Sequence, residues 1–303
     1  MSASEFRAQW SQRLRHLEQP LAIDAVLLWE LVLPLLSWLQ LSCADRQRRV
    51  VIGLTAPVGS GKTTLAAQLV QLAGLLPLRL AVASIDDAYR PWAEREQLLA
   101  GNPFGVNRVP PGSHDPALLV NAIACWRQGE ALRLPRFDKR LNGGHGDRSG
   151  WDTVAADVLL IEGWLVGYEP VSAPTLERWL ELPSMALSDA ERRWLPRWNS
   201  QLEPYRPLWS CCDGIWVLQP ERWNQVARWR LQAEARQRRR GEGAMTAIEV
   251  MGLVRASLAS LPAGLYHRAL LPQARAVATL DGRRRCLRVE SGAQASVSSS
   301  LMG

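Results

Sequence analysis

The segment at residues 56–64, Ala-Pro-Val-Gly-Ser-Gly-Lys-Thr-Thr, combines the residue types that bind nucleotide phosphates. Glycines keep Cβ atoms away from backbone N–H groups that surround phosphate oxygens, a lysine supplies positive charge, and a threonine hydroxyl is a ligand for Mg²⁺. The segment follows the apolar run 49–55 and precedes the helix-like run 65–72, so it lies where a buried strand turns into a helix. This context predicts a phosphate-binding loop (P-loop) for ATP and Mg²⁺.

Carboxylates follow two further apolar runs. Asp86 and Asp87 come after the run 78–84, and Glu162 comes after the run 154–161. Because ligands of open α/β sheets bind outside the carboxyl ends of the strands, we expect these carboxylates to face the nucleotide. Phosphoryl transfer needs a carboxylate that accepts the proton of the acceptor hydroxyl. Asp86 or Asp87 is therefore the predicted base, and Glu162 is predicted to hold the metal or its water.

The transferred phosphoryl group also needs positive charge around it. Three candidate cations, Arg136, Lys139 and Arg148, lie in a segment at 134–148 that mixes charges with glycines and is predicted to be irregular. A fourth, Arg240, ends an arginine cluster. The predicted cofactor-binding residues are Gly59, Ser60, Gly61, Lys62, Thr63, Thr64 and Arg240, and the predicted metal ligands are Thr63 and Glu162.

A stretch at 101–115 is rich in glycine, proline and asparagine, which predicts a loop or lid. It contains His114, and His145 lies in a second glycine-containing loop. Two histidines in separate loops do not by themselves predict a metal site. Contact with a small hydroxy substrate and a place in a surface turn are both open for them.

The order of apolar runs and helical patterns predicts an α/β fold with a mostly parallel sheet flanked by helices. The predicted strands are 49–55, 78–84, 154–161, 213–218 and 274–280. Helical patterns cover 174–209, with a predicted N-cap at Ser188, as well as 220–240 and 246–261. The predicted organisation is an N-terminal helical extension at 1–48, a P-loop domain at 49–290 with lid inserts, and a disordered serine-rich tail at 291–303.

Composition by itself excludes few classes of function. The chain of 303 residues carries a net charge of +7, but its arginines are spread along the sequence, and an enzyme that handles ATP and an anionic substrate also needs positive charge. The odd number of cysteines, 5, and the lack of a C-x-x-C pair argue against a disulfide framework or a zinc site. We therefore expect a reducing, cytoplasmic setting, and we find no export signal.

One stretch, 21–41, is apolar enough to suggest a membrane span. It contains Asp24, Glu30 and, in its middle, Pro34. These residues favour soluble helices that break near Pro34 and pack on the nucleotide domain.

Five segments together resemble those of the D-glycerate 3-kinases of plants, cyanobacteria and fungi, which belong to a wider group with phosphoribulokinases, uridine kinases and pantothenate kinases. The resemblance covers about 50–287, and the arginine-rich segment 236–243 looks like the lid of that family. The segments are the P-loop at 56–64, Ser84-Ile-Asp-Asp-Ala-Tyr89, Pro111-Gly-Ser-His-Asp115, Pro135-Arg-Phe-Asp-Lys139 and Ile161-Glu-Gly-Trp164.

The resemblance implies Mg²⁺-dependent phosphorylation of D-glycerate by ATP to 3-phosphoglycerate, a step that serves photorespiration in phototrophs. It implies that Asp86 is the general base, that Asp87 orients it, and that Glu162 lies near Mg²⁺. In the wider group an aromatic residue stands where this chain has Ala88, which implies extra space near the site. The implied substrate-binding residues are His114, Asp115, Arg136, Phe137, Asp138, Lys139 and Arg148.

Two alternatives stay open from the sequence. The first is a related kinase for another small hydroxyl substrate, such as pantothenate, a nucleoside or a sugar phosphate. The second is a nucleic-acid-linked or regulatory ATPase, suggested by the basic charge. We expect a small-molecule substrate and no nucleic-acid or membrane partner, and the sequence leaves the oligomeric state open.

Overall fold

The computed structural model describes residues 2–44, 49–183, 185–239 and 245–292. Its strands form a six-stranded sheet and a separate two-stranded sheet within these residues. The strands are β1 (Val50–Thr55), β2 (Leu80–Ser84), β3 (Leu132–Asp138), β4 (Asp147–Val154), β5 (Val158–Gly163), β6 (Gly214–Pro220), β7 (Ala276–Leu280) and β8 (Cys286–Ser291).

Helices cover both faces of the larger sheet. They are α1 (Ala3–Leu14), α2 (Ala25–Leu27), α3 (Leu33–Ser42), α4 (Lys62–Ala73), α5 (Trp92–Leu98), α6 (Ala117–Arg127), α7 (Ala173–Leu180), α8 (Asp189–Ser200), α9 (Arg206–Ser210), α10 (Gln225–Arg239), α11 (Ala247–Ala259) and α12 (Ala263–Leu270). The predicted N-cap Ser188 is confirmed, since its hydroxyl accepts from the N–H of Glu191 in a capping box.

The larger sheet has the strand order β2-β5-β1-β6-β7-β8, and only the last pair is antiparallel. Every residue of β1 and β5 is buried, as expected for central strands of a parallel sheet. Neighbouring residues of β1 join different cores: Val51 packs with α6, whereas Ile52 packs with α3 and α4. The α/β fold with a mostly parallel sheet is confirmed.

The segment predicted to be irregular, 134–148, is instead part of an antiparallel hairpin in which β3 pairs with β4. The prediction was wrong because β4 is polar and largely exposed, so it lacks the apolar alternation that marks a half-buried strand. The residues before Val158 belong to β4 and its exit, so the predicted third strand starts too early at Val154. Strand β8 was not predicted either, because its side chains are mostly exposed at the edge of the sheet.

The predicted break near Pro34 does not occur, because the helix runs continuously from Ala25 to Ser42. A π-helical turn at Leu28–Val32 precedes the proline, and the N–H of Leu33 bonds to the carbonyl of Leu28. Pro34 lies in the first turn of α3, where the wider turn relieves the clash that proline makes with the preceding turn. Buried leucines of this run pack in the core that contains β1.

By length and composition, Ala25–Ser42 is the single helix of the described residues that is apolar enough to cross a membrane, and 39% of it is buried inside the protein. A bent pair, Ala247–Ala259 and Ala263–Gln273, passes the same test if it counts as one span. Helices in protein cores pass this test too, so it is weak evidence of a membrane contact.

Two predictions fall wholly or partly outside the described residues. Arg240, predicted to bind the nucleotide, lies in an undescribed stretch after α10. Residues from 293 onward, most of the predicted disordered tail, are also outside the description, whereas Ser291 ends β8. The predicted helix at 220–240 begins later than expected, because Pro220 still belongs to β6 and α10 starts at Gln225.

Candidate active site

The P-loop joins β1 to α4, as the sequence predicts. Gly59 and Gly61 have positive φ angles of 75° and 96°. A Cβ on Gly59 would lie 2.6 Å from the backbone nitrogen of Arg230 on α10, whereas a Cβ on Gly61 would meet nothing within 4 Å. Gly59 therefore allows α10 to approach the loop, and Gly61 leaves open space at the start of α4, where helix N–H groups favour anions.

Replacing Gly59 by alanine tests this close approach. We expect Gly59→Ala to weaken ADP binding about tenfold, because a non-glycine residue in such a conformation costs roughly 1–3 kcal/mol and the new Cβ also collides with α10. Calorimetric titration with ADP measures the effect. Gly101→Ala is the matched control, since Gly101 has a φ of 72° and its Cβ would meet nothing within 4 Å. Equal ADP affinity in the two variants would contradict the assignment.

Two residues that follow the glycines meet the carboxylate at the end of β5. The hydroxyl of Thr63 donates to Oε1 of Glu162 at 3.2 Å, and Nζ of Lys62 lies 3.9 Å from Oε2. Glu162 is 3% exposed, and its Oε2 is buried without a hydrogen-bond partner. A buried carboxylate oxygen without a partner destabilises the folded state unless a cation or a hydrogen-bond donor pairs with it.

The hydroxyl and carboxylate oxygens of Thr63 and Glu162 fit Mg²⁺, which prefers oxygen ligands. The described residues contain no group of three or more His, Cys, Asp or Glu side chains that could hold a metal. Mg²⁺ commonly binds through one or two protein oxygens together with waters and substrate phosphates. The pair therefore suits a metal that arrives with a nucleotide.

Asp86 lies one strand away from Glu162, because Ser84 at the end of β2 pairs with Glu162 in the sheet. A short 3₁₀ turn, Ile85–Ala88, follows, and the Ser84 hydroxyl accepts from the N–H of Asp86. Oδ2 of Asp86 accepts from Nζ of Lys139 at 2.8 Å, and Oδ1 lies 3.9 Å from Nε2 of His114. Burial raises the pKa of Asp86, but Lys139 and His114 outweigh it and hold this pKa well below its usual range. Asp86 is therefore ionised at neutral pH.

His114 is buried behind Asp86. Its ring stacks on Tyr89 with centroids 4.2 Å apart, and its Nδ1 lies 2.8 Å from the hydroxyl of Tyr205. Burial lowers the pKa of His114, although Asp86 opposes this shift. Its Nε2 is buried without a hydrogen-bond partner, which leaves it available to a ligand beside Asp86.

Asp87, the neighbour of Asp86, serves the hairpin. Its Oδ2 accepts from Arg136 at 3.2 Å and its Oδ1 accepts from the N–H of Phe137 at 3.4 Å. Burial raises the pKa of Asp87, and the charge of Arg136 opposes this shift. Arg136 also donates to Asp152 at 2.6 Å. These contacts fix β3 against the end of β2. They also distinguish the two aspartates, which the sequence left as alternatives for the base.

The other residues that were predicted to bind the substrate divide into three groups. Arg148 is held by Asp115 at 3.0 Å and by the carbonyl of Tyr89 at 3.1 Å. Phe137 contacts Tyr89 with ring centroids 5.0 Å apart. Asp138 is paired with Arg140, which lowers the pKa of Asp138 to about 2, so its carboxylate is already engaged at the hairpin turn.

Tyr205 and Arg95 were not predicted from the sequence. Tyr205 lies in a helical region far from the motifs, and nothing local indicates that its hydroxyl reaches His114. Arg95 is fully buried and donates to the carbonyls of Arg90, Asn107, His145 and Gly146. Ala88 is also fully buried in the core, so the smaller residue there does not open the site to solvent.

No protein-family model matches the sequence. The chain is 30% identical over 237 residues to the kinase mug58 of Schizosaccharomyces pombe, an alignment that covers 73% of this chain and 82% of that kinase. It is 33% identical over 218 residues to the chloroplastic D-glycerate 3-kinase of Arabidopsis thaliana, covering 68% of this chain but 45% of the plant protein. The chain thus matches about half the length of this plant relative.

Among solved structures, the D-glycerate 3-kinase of Cryptococcus neoformans superposes with a TM-score of 0.69 at 26% identity. The match covers 86% of this chain and 98% of the fungal enzyme. The fold and the residues around the P-loop agree with a phosphotransferase. The chain therefore belongs to the family of P-loop kinases that contains these D-glycerate 3-kinases.

Proposed function

We propose that the protein transfers the γ-phosphoryl group of ATP to D-glycerate, giving ADP and 3-phosphoglycerate. The observation that carries the proposal is the ionised Asp86, which is paired with Lys139 and lies one strand from Glu162 and two strands from the P-loop. A base, a cation for a carboxylate and a phosphate cradle are the parts that phosphorylation of a small hydroxy acid needs. Similarity to two D-glycerate 3-kinases supports D-glycerate as the acceptor and its 3-hydroxyl as the group that is phosphorylated.

In this proposal each residue has one task. Lys62 neutralises charge on the phosphates, and the N–H groups at the start of α4 contact their oxygens. Thr63 and Glu162 would hold Mg²⁺, which supplies charge neutralisation for the phosphoryl oxygens. Asp86 accepts the proton of the attacking hydroxyl, and His114 donates from its Nε2 to a substrate oxygen when that nitrogen is protonated.

We assign the substrate carboxylate to Lys139 rather than to Arg148. The guanidinium of Arg148 is held by Asp115 and the Tyr89 carbonyl, and its side chain is 34% exposed, compared with 56% for Lys139. Lys139 is half-exposed, and its contact with Asp86 uses one of the three N–H donors of an ammonium group. The same ammonium can therefore contact both the base and the substrate carboxylate.

A purified-protein assay with a panel of acceptors tests the function. The panel contains D-glycerate, L-glycerate, pantothenate, uridine and a sugar phosphate, with ATP and Mg²⁺, and phosphorus NMR identifies the hydroxyl that is phosphorylated. We expect D-glycerate to have the highest kcat/KM and 3-phosphoglycerate to be the product. Turnover of another acceptor above D-glycerate, or hydrolysis of ATP that nucleic acid stimulates without an acceptor, would replace the proposal by one of the alternatives. The proposal includes a cytoplasmic location and, in phototrophs, a part in photorespiration.

Removing Lys139 is expected to change the pH profile. Asp86 must be ionised to act as base, so activity falls as the pH drops through its lowered pKa. Without Lys139 the effect of burial is less opposed, the pKa of Asp86 rises, and the acid limb of kcat/KM moves towards neutral pH. We expect this movement in Lys139→Gln, together with a higher KM for the acceptor. Arg140→Gln is the control, because Arg140 is exposed and pairs with Asp138; an acid limb that is the same in both variants would refute the role of Lys139.

A further inference from the structure

A tight turn between β7 and β8 contains Arg284 in a left-handed backbone conformation, with a φ of 64°. Few residues other than glycine adopt this conformation, and it persists where surrounding contacts impose it. Here Asp281 imposes it, since its Oδ1 accepts from the N–H groups of Arg283 and Arg285 at 2.8 and 2.9 Å. The Trp229 indole of α10 donates to the carbonyl of Gly282 at 3.0 Å and holds the turn against that helix.

The guanidinium of Arg284 joins this turn to the P-loop. Its Nε donates to the carbonyl of Gly59 at 2.7 Å, its Nη2 to the carbonyl of Trp229 at 2.8 Å, and its Nη1 to Oε1 of Gln232 at 2.9 Å. The group also lies over the Trp229 ring, 5.6 Å from the centroid. These hydrogen-bond partners are uncharged, so they leave the positive charge beside the P-loop unneutralised.

The contact fixes one peptide group of the cradle. The carbonyl of Gly59 is held by Arg284, and the N–H at the other side of the same peptide, that of Ser60, donates to the carbonyl of Pro57 at 3.3 Å. Because a peptide group is planar, holding both ends sets the direction of the loop at this point. The close packing of Gly59 on α10 at Arg230 limits the loop from the other side.

We infer that Arg284 is a positioning residue for the nucleotide: it holds the Gly59 peptide against α10 in the conformation that receives the phosphates, and its charge favours an anion there. The inference rests on the proposed nucleotide site and does not depend on the acceptor. A loop held in its binding conformation loses less conformational freedom when the ligand binds, which raises affinity. Burial, followed by the charges of Arg236 and Arg228, lowers the pKa of Arg284, as expected for a cation placed among other cations.

The test compares Arg284→Gln with Arg283→Gln, which removes the same charge from the same turn at an exposed position. Titration with ADP measures affinity, and hydrogen exchange follows the amides of residues 57–61. We expect Arg284→Gln to bind ADP about tenfold more weakly, the equivalent of one charge-assisted hydrogen bond, and to exchange faster in the P-loop. Arg283→Gln should match the unmodified protein, and Arg284→Lys should recover part of the loss because an ammonium can still reach one carbonyl.

Arg284→Gly distinguishes a role of Arg284 in holding the P-loop from a role in the stability of the fold. Glycine relieves the left-handed conformation, so this variant should unfold at a temperature no lower than that of Arg284→Gln while still binding ADP weakly. The KM for the acceptor should be unchanged in all Arg284 variants. ADP affinity equal to that of Arg283→Gln would overturn the inference, as would faster exchange spread over the whole sheet with a raised acceptor KM. If the unmodified protein binds ADP but does not phosphorylate D-glycerate, the proposed substrate fails and the inference stands.

Discussion

Asp86→Asn is expected to lower kcat by about 10²–10⁴, the usual contribution of a general base, and to leave ADP affinity nearly unchanged. Asparagine keeps the size of the side chain but cannot accept the proton of the acceptor hydroxyl. It also removes the negative partner of Lys139, whose ammonium lies 2.8 Å from the Asp86 carboxylate. Steady-state rates at saturating ATP and acceptor, together with calorimetric titration of ADP, measure both quantities.

Asp87→Asn is the matched comparison, because it changes the adjacent carboxylate in the same way. Asp87 accepts from Arg136 and from the backbone of Phe137, so we expect a moderate rise in acceptor KM as the hairpin loosens, with most of kcat retained. If Asp86→Asn kept a normal kcat while Asp87→Asn abolished it, the assignment of the base would be reversed.

Lys62→Ala is expected to lower kcat/KM for ATP by roughly 10²–10³, the effect of removing one group that stabilises transition-state charge. Its ammonium lies at the start of α4, 3.9 Å from a buried oxygen of Glu162. The variant removes charge from the phosphates and also leaves the Glu162 carboxylate without its nearest cation. Nucleotide affinity should fall together with turnover.

Lys139→Ala provides the contrast, since Lys62 and Lys139 are the two lysines of the chain. We expect Lys62→Ala to raise KM for ATP and Lys139→Ala to raise KM for the acceptor. This crossed pattern would show that Lys62 acts on the nucleotide and Lys139 on the acceptor. The same change in both KM values for both variants would show that the two lysines do not act on different substrates.

Local sequence determined the P-loop and the strands of the parallel sheet. The P-loop depends on glycines, a lysine and a threonine at fixed spacing between an apolar strand and a helix, so every part of the signal lies within about twenty residues of chain. The central strands are apolar at nearly every position because both faces are covered by helices. For the same reason the ends of β2 and β5 could be predicted, and with them the edge at which Asp86 and Glu162 lie.

Tertiary structure alone decided which of these residues come into contact. The polar hairpin of β3 and β4 carries no strong period, and its pairing brings Lys139 to Asp86 and Arg136 to Asp87. The contact between His114 and Tyr205 joins residues 91 positions apart.

The P-loop itself is completed by residues that lie far along the chain. Arg284 reaches Gly59 across 225 positions, and α10 packs against the same glycine. Spacing along a sequence encodes local backbone conformation and burial, but contacts between distant side chains depend on how whole elements pack. Sequence therefore determined which chemical groups are available at the site, and packing decided which of them come into contact.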